Sequence, residues 1–297
     1  MTALALYDVE QHVATITFNR PEKLNALNDA LYAAFFEALD RAQLDDNVKV
    51  VVIRGAGTSF CTGHDLTQVS TVYEGWVTPK KGEKVRRPSQ RSRLMTDRRR
   101  LSDRWSKLFN FPKVTIAQVH GYCVEGGSNM ALMCDITIAA DNAMFSYQGQ
   151  RLAAGGASTP FLHLVNVLGY KVARELILTG RKVSGTEAAD IGLVNRAVPA
   201  DQLEQEVTKM AHSIALMPRD TIVMGKIYSS MIYDIIGLND WNTLTIGHTL
   251  ATNLRFESDE YNYHREKRDQ GPREAFHGLH DRVDQALKSD PRKHNSN

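Results

Sequence analysis

Residues 114–140 read VTIAQVHGYCVEGGSNMALMCDITIAA, and this stretch decides the fold class. It begins and ends with β-branched apolar runs, Val114–Val119 and Ile136–Ala140, which are typical of strands buried in a parallel sheet. Between them, Gly126-Gly127 marks a turn that opens a helix near Ser128. A buried strand, a helix and a second buried strand predict a β-α-β unit and an α/β fold.

The sequence before this stretch continues the same alternation. His12–Phe18 alternates with period two, which indicates a strand, and Val48–Ile53 is a β-branched run ended by glycine. Between these strands, Asn28–Asp45 places apolar residues at helical spacing, and Asn28 is suited to cap its N-terminus. The strand-like segments stop near Val198. The pattern therefore predicts a sheet-containing core in the first two thirds of the chain.

We predict three regions of different character along the chain. Residues 1–200 form the core, which a basic insertion interrupts at about 71–104. Residues 201–288 follow helical spacing and form a helical C-terminal region. The remaining residues, 289–297, are predicted to be a disordered tail.

Bulk composition narrows the class of protein. The chain has 297 residues, is 42% hydrophobic and carries a formal net charge of +2, so it can bury a core and is not marked as a polyanion binder. Its three cysteines are odd in number and widely separated, so they do not predict a disulfide framework. This fits a reducing compartment. The sequence shows no signal-peptide pattern and no apolar run near the ~20 residues of a membrane helix. We therefore expect a cytoplasmic protein with no membrane contact.

One segment departs from this neutral balance. Lys80–Arg104 holds eleven Lys and Arg residues against three acidic residues, a local excess of +8. Its second part, Ser92–Phe109, can be helical. The segment is either a solvated loop and helix face or a surface for phosphate groups, which guanidinium groups chelate well.

Four stretches in register resemble the crotonase (enoyl-CoA hydratase/isomerase) superfamily, across about residues 13–198. The stretches are Asn19-Arg20-Pro21 with Asn25-Ala26-Leu27; Ser59–Leu66 (SFCTGHDL); His120-Gly121-Tyr122 with Gly126-Gly127 and Cys134-Asp135-Ile136; and Leu178-Thr179-Gly180 with Gly192-Leu193-Val194-Asn195. The resemblance implies a crotonase-like spiral of ββα repeats, with a helical C-terminal trimerisation region that assembles homotrimers or dimers of trimers. It also implies an acyl-CoA substrate, a place in fatty acid metabolism, and no cofactor besides the coenzyme A of that substrate.

The resemblance further implies an oxyanion hole made of backbone N–H groups. Its two donors fall on His64, within the G-x-D motif, and on Gly126, in the glycine-rich turn. Preorganised donors of this kind stabilise the negative charge that develops on a thioester oxygen. The resemblance places the adenine and pantetheine of CoA against the backbone of two loops, and the phosphates near a lysine or the basic insertion. The residues concerned are Lys23, Leu24, Ala26, Gly63 and Asp65.

The chain departs from the family where hydratases carry two glutamates that hold and split water. These positions fall on Asn129, a candidate that can orient water but cannot act as a general base, and on Gly149, which offers only its backbone. Glu125, beside the second oxyanion donor, is the first candidate to replace them as acid or base. Further candidates lie on the stretch that normally carries the second glutamate. They are Tyr147, Gln148 and Arg151.

Several functions stay open at this point. Hydration or double-bond isomerisation of an enoyl-CoA follows most directly from the resemblance, and hydrolysis of a C–C bond or a thioester would use the same oxyanion hole. An RNA-binding protein using the arginines of residues 91–104, or a catalytically inactive scaffold, are alternatives from other classes. Nucleic acid binding is the weaker prediction, because few aromatic residues interleave the basic ones. We predict no metal site, since no His or Cys pattern has zinc spacing.

Overall fold

The computed structural model describes residues 3–67, 89–152, 159–251, 257 and 259–288. Within these residues the strands are β1 (Ala5–Glu10), β2 (Val13–Phe18), β3 (Val50–Gly55), β4 (Val114–Val119), β5 (Tyr122–Val124), β6 (Ile136–Ala140), β7 (Met144–Ser146), β8 (Val183–Ser184) and β9 (Arg196–Val198). They form a sheet in the order β1-β2-β3-β4-β6-β9 and a second sheet in the order β5-β7-β8. The first is parallel from β2 to β9, while β1 is antiparallel to β2.

Helices connect and cover these strands, which confirms the predicted α/β class. The helices are α1 (Asp29–Leu44), α2 (Gln90–Asp97), α3 (Asp103–Phe109), α4 (Gly126–Met133), α5 (Phe161–Thr179), α6 (Gly185–Asp190), α7 (Leu203–Ala215), α8 (Arg219–Ile235), α9 (Trp241–Ala251), α10 (Tyr263–Gln270) and α11 (Pro272–Lys288). A π-helical turn at Arg98–Ser102 joins α2 to α3. Helix α7 packs on β3, β4 and β6, so the central strands are covered and can be continuously apolar.

The element boundaries follow the sequence pattern with small shifts. The strand predicted at Val48–Ile53 runs from Val50 to Gly55. Helix α1 begins as predicted, because Asn28 Oδ1 accepts the Leu31 N–H at 2.8 Å. Helix α4 begins two residues before the predicted start, at Gly126, because the residue before it already completes the turn (φ 48°, ψ −111°).

The C-terminal region is helical, and its run divides at Pro218 and at Gly237, whose φ is +82°. Within the described ranges, no helix is long and apolar enough to cross a membrane. The division at residue 200 stays a prediction. Residues 71–88 of the basic insertion and the tail 289–297 lie outside the described residues.

Candidate active site

Two backbone segments from distant parts of the sequence, loop 61–65 and turn 122–126, lie side by side. Cys61 and Cys123 form an isolated parallel bridge between them. In this bridge the Val124 N–H donates to Cys61 O at 2.9 Å. The contact brings together the two residues predicted to supply the oxyanion hole.

Gly63 allows this close approach. Its φ is +82°, a conformation that favours glycine. A β-carbon at this position would lie 2.8 Å from Val124 O and 2.9 Å from Glu125 Cβ, closer than real β-carbons come. We infer that any side chain at residue 63 would push the two segments apart.

The two residues predicted as donors lie next to each other, since a β-carbon at Gly126 would lie 3.4 Å from the His64 ring. The bridge between His64 and Leu27 uses Leu27 N–H to Gly63 O, at 2.7 Å, and Asp65 N–H to Leu27 O, at 2.8 Å. In this parallel register the N–H of His64 itself points away from Leu27. Gly126 is the first residue of α4, and the first amides of a helix have no acceptor within it.

The imidazole of His64 is held by Tyr32, whose Oη lies 3.3 Å from Nε2. Burial of the ring, as the largest cause, together with the neighbouring His248 and Arg104, lowers the pKa of His64 to about 4. The ring is therefore uncharged at neutral pH. This agrees with a role for the His64 backbone rather than for its side chain.

Glu125 is buried, with 8% of its surface exposed, so it is not a solvent-facing residue. Its carboxylate accepts a hydrogen bond from the Gly149 N–H. Its N–H donates to Ser146 O at 2.9 Å, which continues the pairing of β5 with β7. The side chain of the first candidate base thus reaches the position where the resemblance expects the second glutamate.

The residues predicted to contact CoA also lie together. Thr62 N–H donates to Leu24 O at 3.2 Å, which joins turn 23–26 to loop 61–65. We call this loop the oxyanion loop because it carries His64, the first predicted donor. Arg20 strengthens this connection: its Nη1 donates to Ala26 O at 2.5 Å and its Nη2 to Asp65 Oδ2 at 3.1 Å. The side chain of Lys23 is exposed beside this junction.

Comparison with known proteins shows to which family the chain belongs. The sequence model of the enoyl-CoA hydratase/isomerase family matches residues 8–231. The chain belongs to this family. It is 32% identical, over 82% of its length and 77% of the relative's, to a Dictyostelium discoideum protein described as a probable mitochondrial enoyl-CoA hydratase.

Solved structures agree with the family assignment and confirm the crotonase fold. An enoyl-CoA hydratase/isomerase from Xanthobacter autotrophicus Py2 superposes with a TM-score of 0.79 at 30% identity, covering 95% of this chain and 99% of that one. An enoyl-CoA hydratase from Mycobacterium smegmatis gives a TM-score of 0.79 at 28% identity, covering 98% and 97%.

Other polar residues of this family member have environments that limit their chemistry. Asn129 is fully buried on α4. Tyr147 is also buried, and burial, with the nearby Cys123 and Glu125, raises the pKa of its hydroxyl well above the ordinary value. Burial likewise raises the pKa of the Cys123 thiol. At neutral pH, Tyr147 can therefore donate but not abstract a proton, and Cys123 is not an activated nucleophile.

The remaining two candidates, Gln148 and Arg151, are bonded to the C-terminal helix. Gln148 Oε1 lies 3.1 Å from His280 Nε2, and Arg151 Nη1 donates to Asp284 Oδ1 at 2.7 Å. Both candidates are buried, at 5% and 3% exposure. Their contacts are those of residues that hold the stretch in place rather than of residues that present a reactive group.

Arg91, Arg98 and Arg99 of the basic segment are exposed, whereas its other described arginines are buried or paired. Arg93 is 6% exposed and lies 3.6 Å from Asp97. Arg100 and Arg104 both pair with Asp29, at 3.0 and 3.5 Å. These arginines stabilise the packing of α2 and α3, so they are poorly placed to contact a polyanion.

Sequence reasoning missed the residues that hold the site together. Asn25 is fully buried and its Nδ2 donates to Ala56 O and Ser59 O, both at 2.8 Å. Its place in the family-like Asn25-Ala26-Leu27 run was the available signal. No comparable signal marks His280 or Asp284. Among the described residues, no group of three or more His, Cys, Asp or Glu side chains is arranged to hold a metal.

The lowered pKa values of three histidines predict that the stability of the fold depends on pH. Burial, as the largest cause, lowers the pKa of His64, His163 and His280 to about 4 from 6.5. Because the unfolded chain binds these protons more readily, the free energy of unfolding should fall as the pH drops from about 6.5 towards 4. At pH 5, His163 and His280, the two most buried of the three, should each lower the free energy of unfolding by on the order of 1–2 kcal/mol.

Urea unfolding at pH 7, 6 and 5 measures this dependence. The His163→Phe variant keeps a ring against its stacking partner Trp241, at 4.6 Å between centroids, but cannot titrate, so its pH slope should be shallower. The exposed His277→Phe variant should keep the wild-type slope. Equal slopes in all three proteins would contradict the prediction.

Proposed function

We propose that this chain is an acyl-CoA-processing enzyme that stabilises a thioester enolate and uses Glu125 as its acid–base group. The observation that carries the proposal is the hydrogen bond from the Gly149 N–H to the Glu125 carboxylate. Residue 125 thereby supplies a carboxylate at the site where residue 149 cannot. A buried, positioned carboxylate is a competent general base.

The backbone of Glu125 supports a functional origin for this arrangement. Its φ of 48° and ψ of −111° lie in a region that glycine adopts and other residues avoid. Such strain costs about 1–3 kcal/mol and is typical of functional sites. A glutamate at a position that favours glycine is explained if its carboxylate contributes to the reaction.

The proposed reaction needs only this carboxylate and the two backbone donors. Ionised Glu125 removes a proton from the α-carbon of the thioester, and the electron pair moves onto the carbonyl oxygen. The N–H groups of His64 and Gly126 stabilise the resulting oxyanion. Protonated Glu125 then returns the proton to the α-carbon or to a conjugated carbon. One carboxylate suffices for such transfer, so isomerisation and exchange are favoured over hydration.

Mass spectrometry in D₂O with enoyl-, 3-oxo- and saturated acyl-CoAs tests the proposed function. Deuterium at the α-carbon, a shifted double bond or a gain of water would each show enolate chemistry. Release of free CoA without α-deuteration would identify thioester hydrolysis instead. If the protein neither reacts with CoA esters nor binds them, the inactive scaffold is the better interpretation.

The second part of the proposal concerns assembly: α8 forms the contact between copies of this chain. One face of α8 exposes Met224, Ile227, Met231 and Ile235 at helical spacing, with Ile235 84% exposed. Lys226, in the middle of the helix, pairs with Asp135. An apolar stripe of this length suits burial against further copies, which agrees with the homotrimer or dimer of trimers that the resemblance implies.

Light scattering after size exclusion tests the assembly. Wild type should elute as a multiple of 33.2 kDa, and the Ile235→Glu variant should shift towards a single chain. Leu44, equally exposed at 83% on α1, gives the matched control Leu44→Glu, which should keep the assembly. A wild type that elutes as a single chain would contradict the proposal.

The cellular location also stays a prediction. The chain was predicted to be cytoplasmic, whereas the Dictyostelium relative is described as mitochondrial. Both compartments contain CoA esters, so the proposed chemistry does not depend on this choice.

A further inference from the structure

The segment that receives Glu125 is a turn with no regular structure of its own. Arg151 N–H donates to Gln148 O at 2.9 Å, and Gly149 lies within this turn. The position of the Gly149 N–H therefore depends on the anchors of the two flanking side chains. Both anchors come from α11, more than 130 residues further along the chain.

The first anchor is an ion pair between Arg151 and Asp284. Arg151 Nη1 donates to Asp284 Oδ1 at 2.7 Å, and its Nε donates to Thr179 O at 2.7 Å. Lys182 Nζ lies 3.3 Å from the other carboxylate oxygen. Burial opposes ionisation of Asp284, but the hydrogen bond and charge of Arg151 outweigh it and keep the pKa of Asp284 below its ordinary value. The ion pair is thus formed at neutral pH.

The second anchor is His280, one helical turn before Asp284. Its Nδ1–H donates to Phe276 O at 2.6 Å, and its Nε2, the acceptor of the neutral ring, contacts the side-chain amide of Gln148 at 3.1 Å. The ring stacks on Phe276 with 3.9 Å between centroids. Residues four apart share one helix face, so the face 276–280–284 presents both anchors to the turn.

The same C-terminal helices also reach the oxyanion loop. Lys267, on α10, donates from Nζ to Leu66 O at 2.5 Å, two residues after His64. Burial lowers the pKa of Lys267, which agrees with an enclosed contact. Helices α10 and α11 therefore contact the segment that carries the oxyanion donor and the segment that receives the base.

We infer that Asp284 and His280 are positioning residues, which act through Arg151 and Gln148 to keep the Gly149 N–H on the Glu125 carboxylate. This inference rests on the proposed function of Glu125. It gives the face of α11 that carries His280 and Asp284 a positioning role in addition to its part in stability.

A double-mutant cycle tests the inference, with α-deuteration as the assay. The Asp284→Asn variant should lower kcat by about 10- to 100-fold, because small misplacements of a reacting group are costly, while the binding of free CoA stays unchanged. Adding Asp284→Asn to Glu125→Gln should lower kcat no further, because both changes act through one carboxylate. A residue that only stabilised the fold would lower the activity of both backgrounds equally.

Neighbouring residues on α11 provide matched controls. Asp281→Asn and His277→Gln repeat the substitutions on the exposed face of the same helix and should keep kcat. His280→Gln tests the second anchor independently, should Asp284→Asn unfold. If Asp284→Asn and His280→Gln are as active as their controls, the positioning role is overturned. If Glu125→Gln alone keeps full activity, the proposed acid–base residue is wrong, and the positioning role falls with it.

Discussion

Replacing Glu125 by glutamine is expected to lower kcat for α-proton exchange by about 100- to 10,000-fold, the range that general acid–base groups contribute. Glutamine has nearly the same shape and its Oε1 can still accept the Gly149 N–H that the carboxylate accepts. It cannot take a proton at neutral pH. The loss should therefore appear in kcat, with little change in the affinity for CoA.

Isotope exchange with a reactive acyl-CoA and calorimetric binding of free CoA measure the two quantities separately. The Glu274→Gln variant makes the same substitution on the exposed face of α11 and should behave as wild type. A Glu125→Gln enzyme with more than about one third of wild-type kcat would show that another group moves the proton, since a true base contributes far more.

The second large effect is expected at Gly63. In Gly63→Ala the new β-carbon would lie 2.8 Å from Val124 O, so the oxyanion loop and the Glu125 turn must separate. We expect kcat to fall by about 100-fold or more, because a displacement near 1 Å at a catalytic group has effects of this size. One methyl group thereby moves the predicted donor on His64 away from both Gly126 and Glu125, which lie on one turn and move together.

Gly63→Ala would introduce both backbone strain and a steric collision. A second glycine with the same φ separates these two causes. Gly237 has the same φ of +82°, but no atom lies within 4 Å of the β-carbon it would carry. Gly237→Ala therefore has the conformational strain without the collision, and should lower the melting temperature while leaving kcat near wild type. Equal kcat losses in both variants would contradict the steric argument.

The fold could be predicted because local sequence determines it, and the oxyanion donors stay a prediction that rests on equally local motifs. The β-branched runs around residues 114–140 must be buried, and glycines 63 and 126 stand in short motifs. The asparagine cap of α1 and the start of the C-terminal helices are equally local. Such features need only neighbouring residues to be recognised.

The contacts that complete the site could not be predicted, because they join side chains across long separations. Glu125 contacts Gly149 because β5 pairs with β7, which brings the two segments together. Arg151 and Asp284 are 133 residues apart, and no periodicity in either segment indicates the partner. The same holds for Arg93 and Arg104, whose charge pointed to a surface, whereas buried or paired contacts absorb it.

The attachment of Glu125 has a mechanical consequence. One peptide bond joins it to Gly126, so the proposed base and the predicted oxyanion donor lie on the same turn, at the start of α4. Where two separate segments carry these groups, thermal motion can change their spacing. Here any tilt of the helix carries both residues together, so the spacing of their backbones is fixed, while the contact with Gly149 determines where the Glu125 side chain points. The contact between Gly149 and the Glu125 carboxylate joins two separate segments, so its geometry can change. The C-terminal helix α11, which holds the turn at Gly149, is therefore the adjustable part of the proposed site.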